Sequence, residues 1–224
     1  MGMDKHFTKT VLQAAGVLVA PWITLHESDR SGDQVFLRRR VAALGYPVFV
    51  KPARAGSSVG VSKVDDVEGL EHALDTAFAE DSKVLVERGV IGRELEIGML
   101  GSRTGGQART SAVGEVVVTG RDFYDFEAKY LDAPGIELLC PAPLGDGEQL
   151  DLERTAQRAF EAIDGRGLAR VDLFLTEEGF VVNEINTMPG FTPISMFPAC
   201  WLASGMSYPE LLDELIALGL STER

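Results

Sequence analysis

Hydrophobic and polar positions follow helix and strand periods along most of this 224-residue chain. Asp4 precedes a stretch in which Phe7, Val11, Leu12 and Ala15 recur at helical spacing, so a capped helix that Gly16 ends is expected there. A strand is expected around residues 17–25 and a second helix over residues 33–44, ended by Gly45. The apolar run YPVFVKP reads as a buried strand entering a Gly/Ser loop, and residues 61–64 as the strand that returns. Asp65 or Asp66 then caps a helix with Val67, Leu70, Leu74, Ala77 and Phe78 on one face, and KVLVERG makes another strand.

Gly89 and Gly92 punctuate the chain where a second unit begins, so a boundary is placed between residues 1–88 and 89–224. Strands near residues 94–100 and 112–118 lead into RDFYDFEAKYLDAPG, a polar and aromatic segment expected to be a long surface loop. A helix over residues 152–163 packs through Leu152, Ala156, Ala159, Phe160 and Ile163. The strands LARVDLFLT and FVVNEIN are joined by EEG as a hairpin. A Pro/Gly loop, TMPGFTPIS, precedes terminal helices with Leu211, Leu212, Leu215 and Ile216 as the apolar face. The fold class this pattern implies is α+β, two lobes with a cleft between them.

Composition narrows the functions such a fold can serve. With 45% hydrophobic and 25% charged residues the chain can bury a sizeable core, and nothing suggests disorder. Twenty-one basic against 34 acidic residues give a net charge of -13, which repels nucleic acid and anionic lipid. A phosphate bound here is therefore held by a few placed lysines and backbone donors. No apolar run approaches the roughly 20 residues needed to span a membrane, and MGMDKHFTK lacks a signal-peptide core, so a cytoplasmic protein is expected. Cys140 and Cys200 lie far apart in sequence without metal-ligand spacing and read as reduced core thiols.

Three constellations carry chemistry. Strand alternation puts Arg170 and Asp172 on one face of the hairpin and Glu184 and Asn186 on the matching face of its partner, with Val171, Leu173, Val181 and Ile185 opposite. Hard oxygen donors without His or thiolate suit magnesium; the same pattern also describes a solvated face with cross-strand ion pairs. The segment after the buried strand, KPARAGSSVG from Lys51, offers glycines for close backbone approach, the hydroxyls of Ser57 and Ser58 and a point charge. It is a phosphate cradle without a Walker A pattern, or a simple turn. In EAKY, Lys129 and Tyr130 sit on the long loop, either as a closing lid or beside Phe123, Tyr124 and Phe126 in an anchoring aromatic cluster.

GMDK, VKPARAGSSVG, VLVERGV followed by GRELE, FYDFEAKY, RVDLF and NEINTMPGFT occur in that order, from Met3 to the C-terminus. Together they resemble the central and C-terminal domains of the D-alanine:D-alanine ligases, members of the ATP-grasp superfamily. The resemblance implies an ATP-grasp fold with the nucleotide in the cleft, and ligation of two D-alanines through a D-alanyl phosphate for peptidoglycan and cell-wall synthesis. It implies that Lys5 and Lys51 hold the ATP phosphates under Ser58, that Glu87 and the backbone of Val90 read the adenine edge, that Phe174 lines its pocket, and that Glu94 meets the ribose. Two magnesium ions, with manganese as the alternative, fall to Asp172, Glu184 and Asn186. Lys129 reaches the γ-phosphate, Ser57 and Tyr130 orient substrate, Ser195 and Met196 face the second D-alanine, and Arg170 with the Gly190 amide stabilises the oxyanion.

Two departures bear on these expectations. The family carries a further N-terminal α/β domain that does not precede Met1, so the chain is expected to hold Mg-ATP while ligating weakly or not at all alone, the longer protein being a homodimer. Gly89 and Phe126 stand where some members have other aromatics, which bears on nucleotide affinity and loop anchoring. The alternatives are a non-catalytic Mg-ATP-binding module and a D-alanine:D-lactate-type ligase.

Overall fold

The computed structural model describes residues 1–119 and 135–221. Helix α1 (Lys5–Ala14) begins where the Asp4 carboxylate accepts from the backbone N–H groups of His6 and Phe7, and it ends ahead of Gly16, whose φ of +72° favours glycine. The helix buries Thr8, Lys9 and Leu12; the expected inward residue Phe7 is 52% exposed. Its roll has a physical cause. Asp4 is ion-paired to Lys83, whose ammonium lies 4.4 Å from the Phe7 ring centre, and the Lys5 amide donates to the Ala53 carbonyl at 2.9 Å. These ties hold Phe7 outward over Lys83 and turn the Lys5 and Lys9 side inward.

β1 (Trp22–His26), α2 (Gln34–Ala42), β2 (Val48–Pro52), β3 (Ser62–Val64), α3 (Leu70–Glu80) and β4 (Lys83–Arg88) follow, the Asp33 side chain capping α2 by accepting from the Val35 and Phe36 amides. Their strands form an antiparallel sheet in the order β1-β4-β2-β3. Leu37 and Val41 of α2 and Leu70, Leu74 and Ala77 of α3 cover one face, closing a core with Val48, Val50, Val84 and Val86. The first strand is shorter than its apolar pattern suggested. Residues 17–19 run instead to the second sheet, where the Val182 amide donates to the Leu18 carbonyl at 2.8 Å.

The second sheet holds β5 (Arg93–Leu100), β6 (Arg109–Val118) and β7 (Ile136–Leu139), then, after α4 (Asp146–Ala162), β8 (Leu168–Thr176) and β9 (Gly179–Asn186). Its order is β7-β6-β5-β8-β9, antiparallel throughout. Leu95, Ile97, Val171 and Leu173 meet Leu152, Ala156 and Phe160 of α4 on one face, joined by Leu12 and Val17. Thus α1 is tied to the first sheet at its start and packs on the second along its length. β7 had no counterpart in the sequence reading. Helix α4 starts six residues before its expected start, because a polar first turn, closed by Glu148 accepting from the Gly145 amide at 3.0 Å, shows no apolar period.

α5 (Met196–Ala203) and α6 (Tyr208–Ser221) cover the other face. A Cβ on Gly98 would lie 2.6 Å from Trp201 Nε1 and one on Gly114 2.2 Å from Met196 Sδ, so glycine at both strands lets α5 sit down. In α6 the buried residues are Leu211 and Leu218, with Leu215 packed beside them, while the expected Leu212 and Ile216 are 40% and 61% exposed. Cys140 and Cys200, distant in sequence, are neighbours in space with sulfurs 3.6 Å apart; both are free, and only Cys200 is fully buried. Among the described residues no helix is long and apolar enough to cross a membrane.

Candidate active site

The hairpin of β8 and β9 sets Arg170 opposite Asn186 and Asp172 opposite Glu184, the pairing that alternation predicted. Beyond Asp172 the register slips, with Leu173 facing Val182 and Asn183 as the extra residue of a β-bulge. The bulge corrects the expected inner face: Val182 is fully buried in the core, while Val181 lines a cavity together with Asn183 and Glu184.

Arg170, on the same hairpin, is held in a set of ion pairs with Asp172 and Glu96. Its Nε and Nη2 are 2.7 and 2.8 Å from the two Asp172 oxygens, and Nε is 3.1 Å from Glu96 Oε2. Asn186 Nδ2 donates to Asp172 Oδ2 at 2.9 Å and to Glu184 Oε1 at 3.3 Å. Burial would lower the guanidinium pKa, but Asp172 and Glu96 outweigh it and hold the group well above the usual arginine value. Among the described residues no three His, Cys, Asp or Glu side chains group as a metal site. The candidate set is two carboxylates completed by an amide, an all-oxygen donor set that fits magnesium.

The facing wall comes from the first sheet and α1. Lys51 Nζ donates to Glu87 Oε2 at 2.8 Å and to Asn183 Oδ1 at 3.3 Å, so the bulged residue of one sheet meets a lysine of the other. Lys9 Nζ is 3.4 Å from the same Glu87 oxygen, both residues being nearly fully buried, and among the described residues neither Lys9 Nζ nor Glu87 Oε1 has a hydrogen-bond partner. Burial pushes the Glu87 carboxyl up, yet Lys51 and Lys9 together bring it below the usual range. Burial also lowers Lys9, opposed chiefly by Glu87. Lys5 Nζ donates to the Ala55 carbonyl at 2.7 Å and stands 3.7 Å from Glu184, where the lysine and carboxylate groups meet.

The Gly/Ser loop begins at Arg54, whose backbone N–H and side chain both donate to Asp81. Ser57 and Ser58 adopt left-handed φ of +52° and +58°, a conformation strained for non-glycine residues and common at ligand-holding turns. Gly60 also has positive φ, and a Cβ there would lie 2.8 Å from Pro52 Cγ.

One cavity thereby gathers Lys5, Lys51, Ser57, Ser58, Glu87, Val90, Glu94, Phe174 and Glu184 from the expected set, with Asn186 lining its continuation. Arg170 and Asp172 line neither part; Asn186, donating to both Asp172 and Glu184, joins them to the lining as the floor of the hairpin set. Gly190 is exposed on the turn before α5, and Ser195 is spent on that turn, its Oγ accepting from the Thr192 amide at 3.0 Å. The Met196 side chain is packed with Val116 and Cys200, which leaves only its backbone for a ligand. Lys129, Tyr130 and Phe126 lie outside the described residues.

Lys9, Glu96 and Asn183 were not foreseen. Lys9 had a readable signal: it is four residues from Lys5 on a capped helix and so shares its face. Glu96 could be found only through the pairing of β5 with β8, and Asn183 only through the bulge.

The family model for the D-ala D-ala ligase C-terminus matches residues 11–217. Curated relatives named D-alanine--D-alanine ligase include one from Kocuria rhizophila, 51% identical over 98% of this chain and 58% of its own length. Another, from Kineococcus radiotolerans, is 52% identical over 98% of this chain and 60% of its own length. The chain therefore spans under two thirds of these relatives. Among solved structures, the VanG D-Ala:D-Ser ligase from Enterococcus faecalis superposes with a TM-score of 0.84 at 32% identity, over 96% of this chain and 61% of that one. The D-alanine-D-alanine ligase from Coxiella burnetii gives 0.80 at 34% identity, over 99% and 58%.

Proposed function

The chain belongs to the D-alanine–D-alanine ligase family and has its ATP-grasp fold, and on that premise we propose that it is the nucleotide-binding and catalytic portion of an ATP-dependent ligase joining two D-alanines. The observation that carries this reading is the polarity of one cavity. Lysines from α1 and β2 face a carboxylate and amide set on β9 across a few ångströms, a layout that suits a polyphosphate and its divalent cations. Residues 1–88 and 89–224 serve as the two lobes, with α1 as the piece that belongs physically to both. The setting is cytoplasmic synthesis of peptidoglycan precursor, and the working form of the longer protein is a homodimer.

In this reading Lys5 and Lys51 turn to the phosphates, under Ser58. Glu87 and the Val90 backbone meet the adenine edge, Phe174 stacks along it, and Glu94 takes the ribose. Asp172, Glu184 and Asn186 hold two magnesium or manganese ions, which neutralise charge on the phosphoryl group in transfer. A carboxylate is a poor electrophile, so the first D-alanine is activated as its acyl phosphate before the amine of the second attacks. Arg170 and the Gly190 amide then meet the developing oxyanion; each such donor is typically worth about 3–4 kcal/mol in the transition state. Lys129 reaches the γ-phosphate, Ser57 and Tyr130 orient substrate, and Ser195 with the Met196 backbone faces the second D-alanine.

Calorimetric titration with ATP, with and without magnesium, followed by phosphate release in the presence of D-alanine, tests this function. Metal-dependent ATP binding that Glu184→Ala abolishes at unchanged melting temperature is expected. Binding indifferent to magnesium and to Glu184 would overturn the site assignment. Tight binding without D-alanine-dependent phosphate release, even in the full-length enzyme, would make the protein a nucleotide-binding module instead.

A further inference from the structure

Lys9 is a charge that packing does not require. Its side chain is 1% exposed, its ammonium has no hydrogen-bond partner among the described residues, and its nearest counter-ion there is Glu87 at 3.4 Å. A buried ammonium without a hydrogen bond is costly, and an apolar chain of the same length would fill the space at less cost. What the charge does becomes apparent from the other groups facing Glu87. Lys51 is the nearer partner at 2.8 Å, and Lys5 adds a more distant positive charge. Under the Mg-ATP reading, on which this inference rests, both are claimed by phosphates. When they turn to the nucleotide, Lys9 is the cation left beside Glu87, because its side chain, 1% exposed, is fixed by burial within α1 at the edge of the cavity's continuation.

Glu87 lines the cavity beside Val90 and Phe174, and its Oε1 has no donor among the described residues. An ionised carboxylate only accepts hydrogen bonds, whereas a protonated one also donates. An acceptor at that position pairs with a 6-amino group and repels a 6-oxo group. We propose that Lys9 is a specificity-determining positioning residue: its buried ammonium holds Glu87 as an acceptor while Lys51 serves the phosphates, so the pocket selects 6-amino over 6-oxo purine nucleotides. Lys9 itself touches no substrate and acts through Glu87.

The test compares Mg-ATP with Mg-ITP by calorimetry on the full chain and its variants; the two differ at C6, amino against oxo, and at N1, an acceptor in ATP and an N–H donor in ITP, so any preference set at N1 is common to every variant. The wild type is expected to prefer ATP by about 10- to 100-fold, the range of one charge-assisted hydrogen bond exchanged for a repulsion. Lys9→Met should reduce that preference to about threefold or less, chiefly by weakening ATP, and Lys9→Arg should restore most of it. Lys9→Gln serves the same purpose should the methionine variant fail to fold. Glu87→Gln should lose the preference on its own, and adding Lys9→Gln to it should change the ATP-to-ITP ratio no further. Equal weakening of ATP and ITP by the Lys9 variants, with the ratio unchanged, would mean that Lys9 is merely structural and overturns the inference. A wild type that binds ATP and ITP equally overturns the inference alone; one that binds neither overturns the Mg-ATP reading and this inference with it.

Discussion

Arg170 and Glu87 are both largely buried charges of the candidate site, Glu87 lining its cavity and Arg170 tied to it through Asp172 and Asn186, yet their surroundings differ. The Arg170 guanidinium is held by Asp172 and Glu96, with Asn186 completing the set. Around Glu87 stand Lys51 and Lys9, and among the described residues one Glu87 oxygen and the Lys9 ammonium have no hydrogen-bond partner. A closed set holds geometry in the free protein, whereas an open one is completed by groups that a ligand brings. The floor of the site is thus preorganised, and its lysine wall is built to exchange partners.

The largest effect expected from this contrast is on the floor. Arg170→Met removes the guanidinium that Asp172 and Glu96, at 3% and 5% exposure, share. Breaking a buried ion pair from one side costs about 3–5 kcal/mol, so urea unfolding should show a loss of that size. A loss below about 1 kcal/mol, the range of exposed pairs, would break the contrast by showing that the floor is not a closed unit.

The lysine wall should respond the other way. Lys51→Met removes a phosphate partner but leaves Lys9 beside Glu87, so nucleotide affinity should fall by roughly 10- to 100-fold, the weight of a charge-assisted hydrogen bond. Unfolding free energy should change by less than for Arg170→Met although both pairs are buried to the same degree, because Lys9 stays beside Glu87 as its counter-ion. Isothermal titration and urea unfolding on the same variant decide it. A stability loss larger than the affinity loss would mean that Lys51 belongs to the frame.

How much of this was readable in the sequence follows from the same distinction. The floor was legible because it lies in a hairpin whose period-two alternation fixes faces, so Arg170, Asp172, Glu184 and Asn186 came out together. The bulge at Asn183 escaped because an inserted residue leaves no mark on the apolar pattern; it shows only as a swap of Val182 for Val181 in the core. The apolar face of α1 was misjudged because tertiary ties at Asp4 and Lys83, not local pattern, set its roll. Glu96 and the neighbouring Cys140 and Cys200 required knowing which strand and helix lie together, and no local signal carries that. The ligand roles rested on motif resemblance throughout.

A third Arg–carboxylate pair separates geometry from burial. Arg54 meets Asp81 through Nε at 3.0 Å and Nη2 at 2.5 Å, much as Arg170 meets Asp172, but the Arg54 side chain is 54% exposed against 15% for Arg170. Hydrogen bonds from the Arg54 side chain hold the Asp81 carboxyl below the usual range, against the opposing pull of burial. A depressed folded pKa adds stability that is complete above the unfolded value, about 3.9, and lost as pH falls through the folded value. Asp81→Asn should therefore cost only about 0.5–1 kcal/mol at neutral pH, since solvent screens the pair. The difference from wild type should shrink as pH drops below about 4 and vanish once the folded carboxyl is protonated. Urea unfolding at a series of pH values measures this. A cost approaching that of Arg170→Met would show that bidentate geometry, not burial, makes the floor rigid, and a difference that persists in acid would assign the Asp81 effect to its backbone hydrogen bonds.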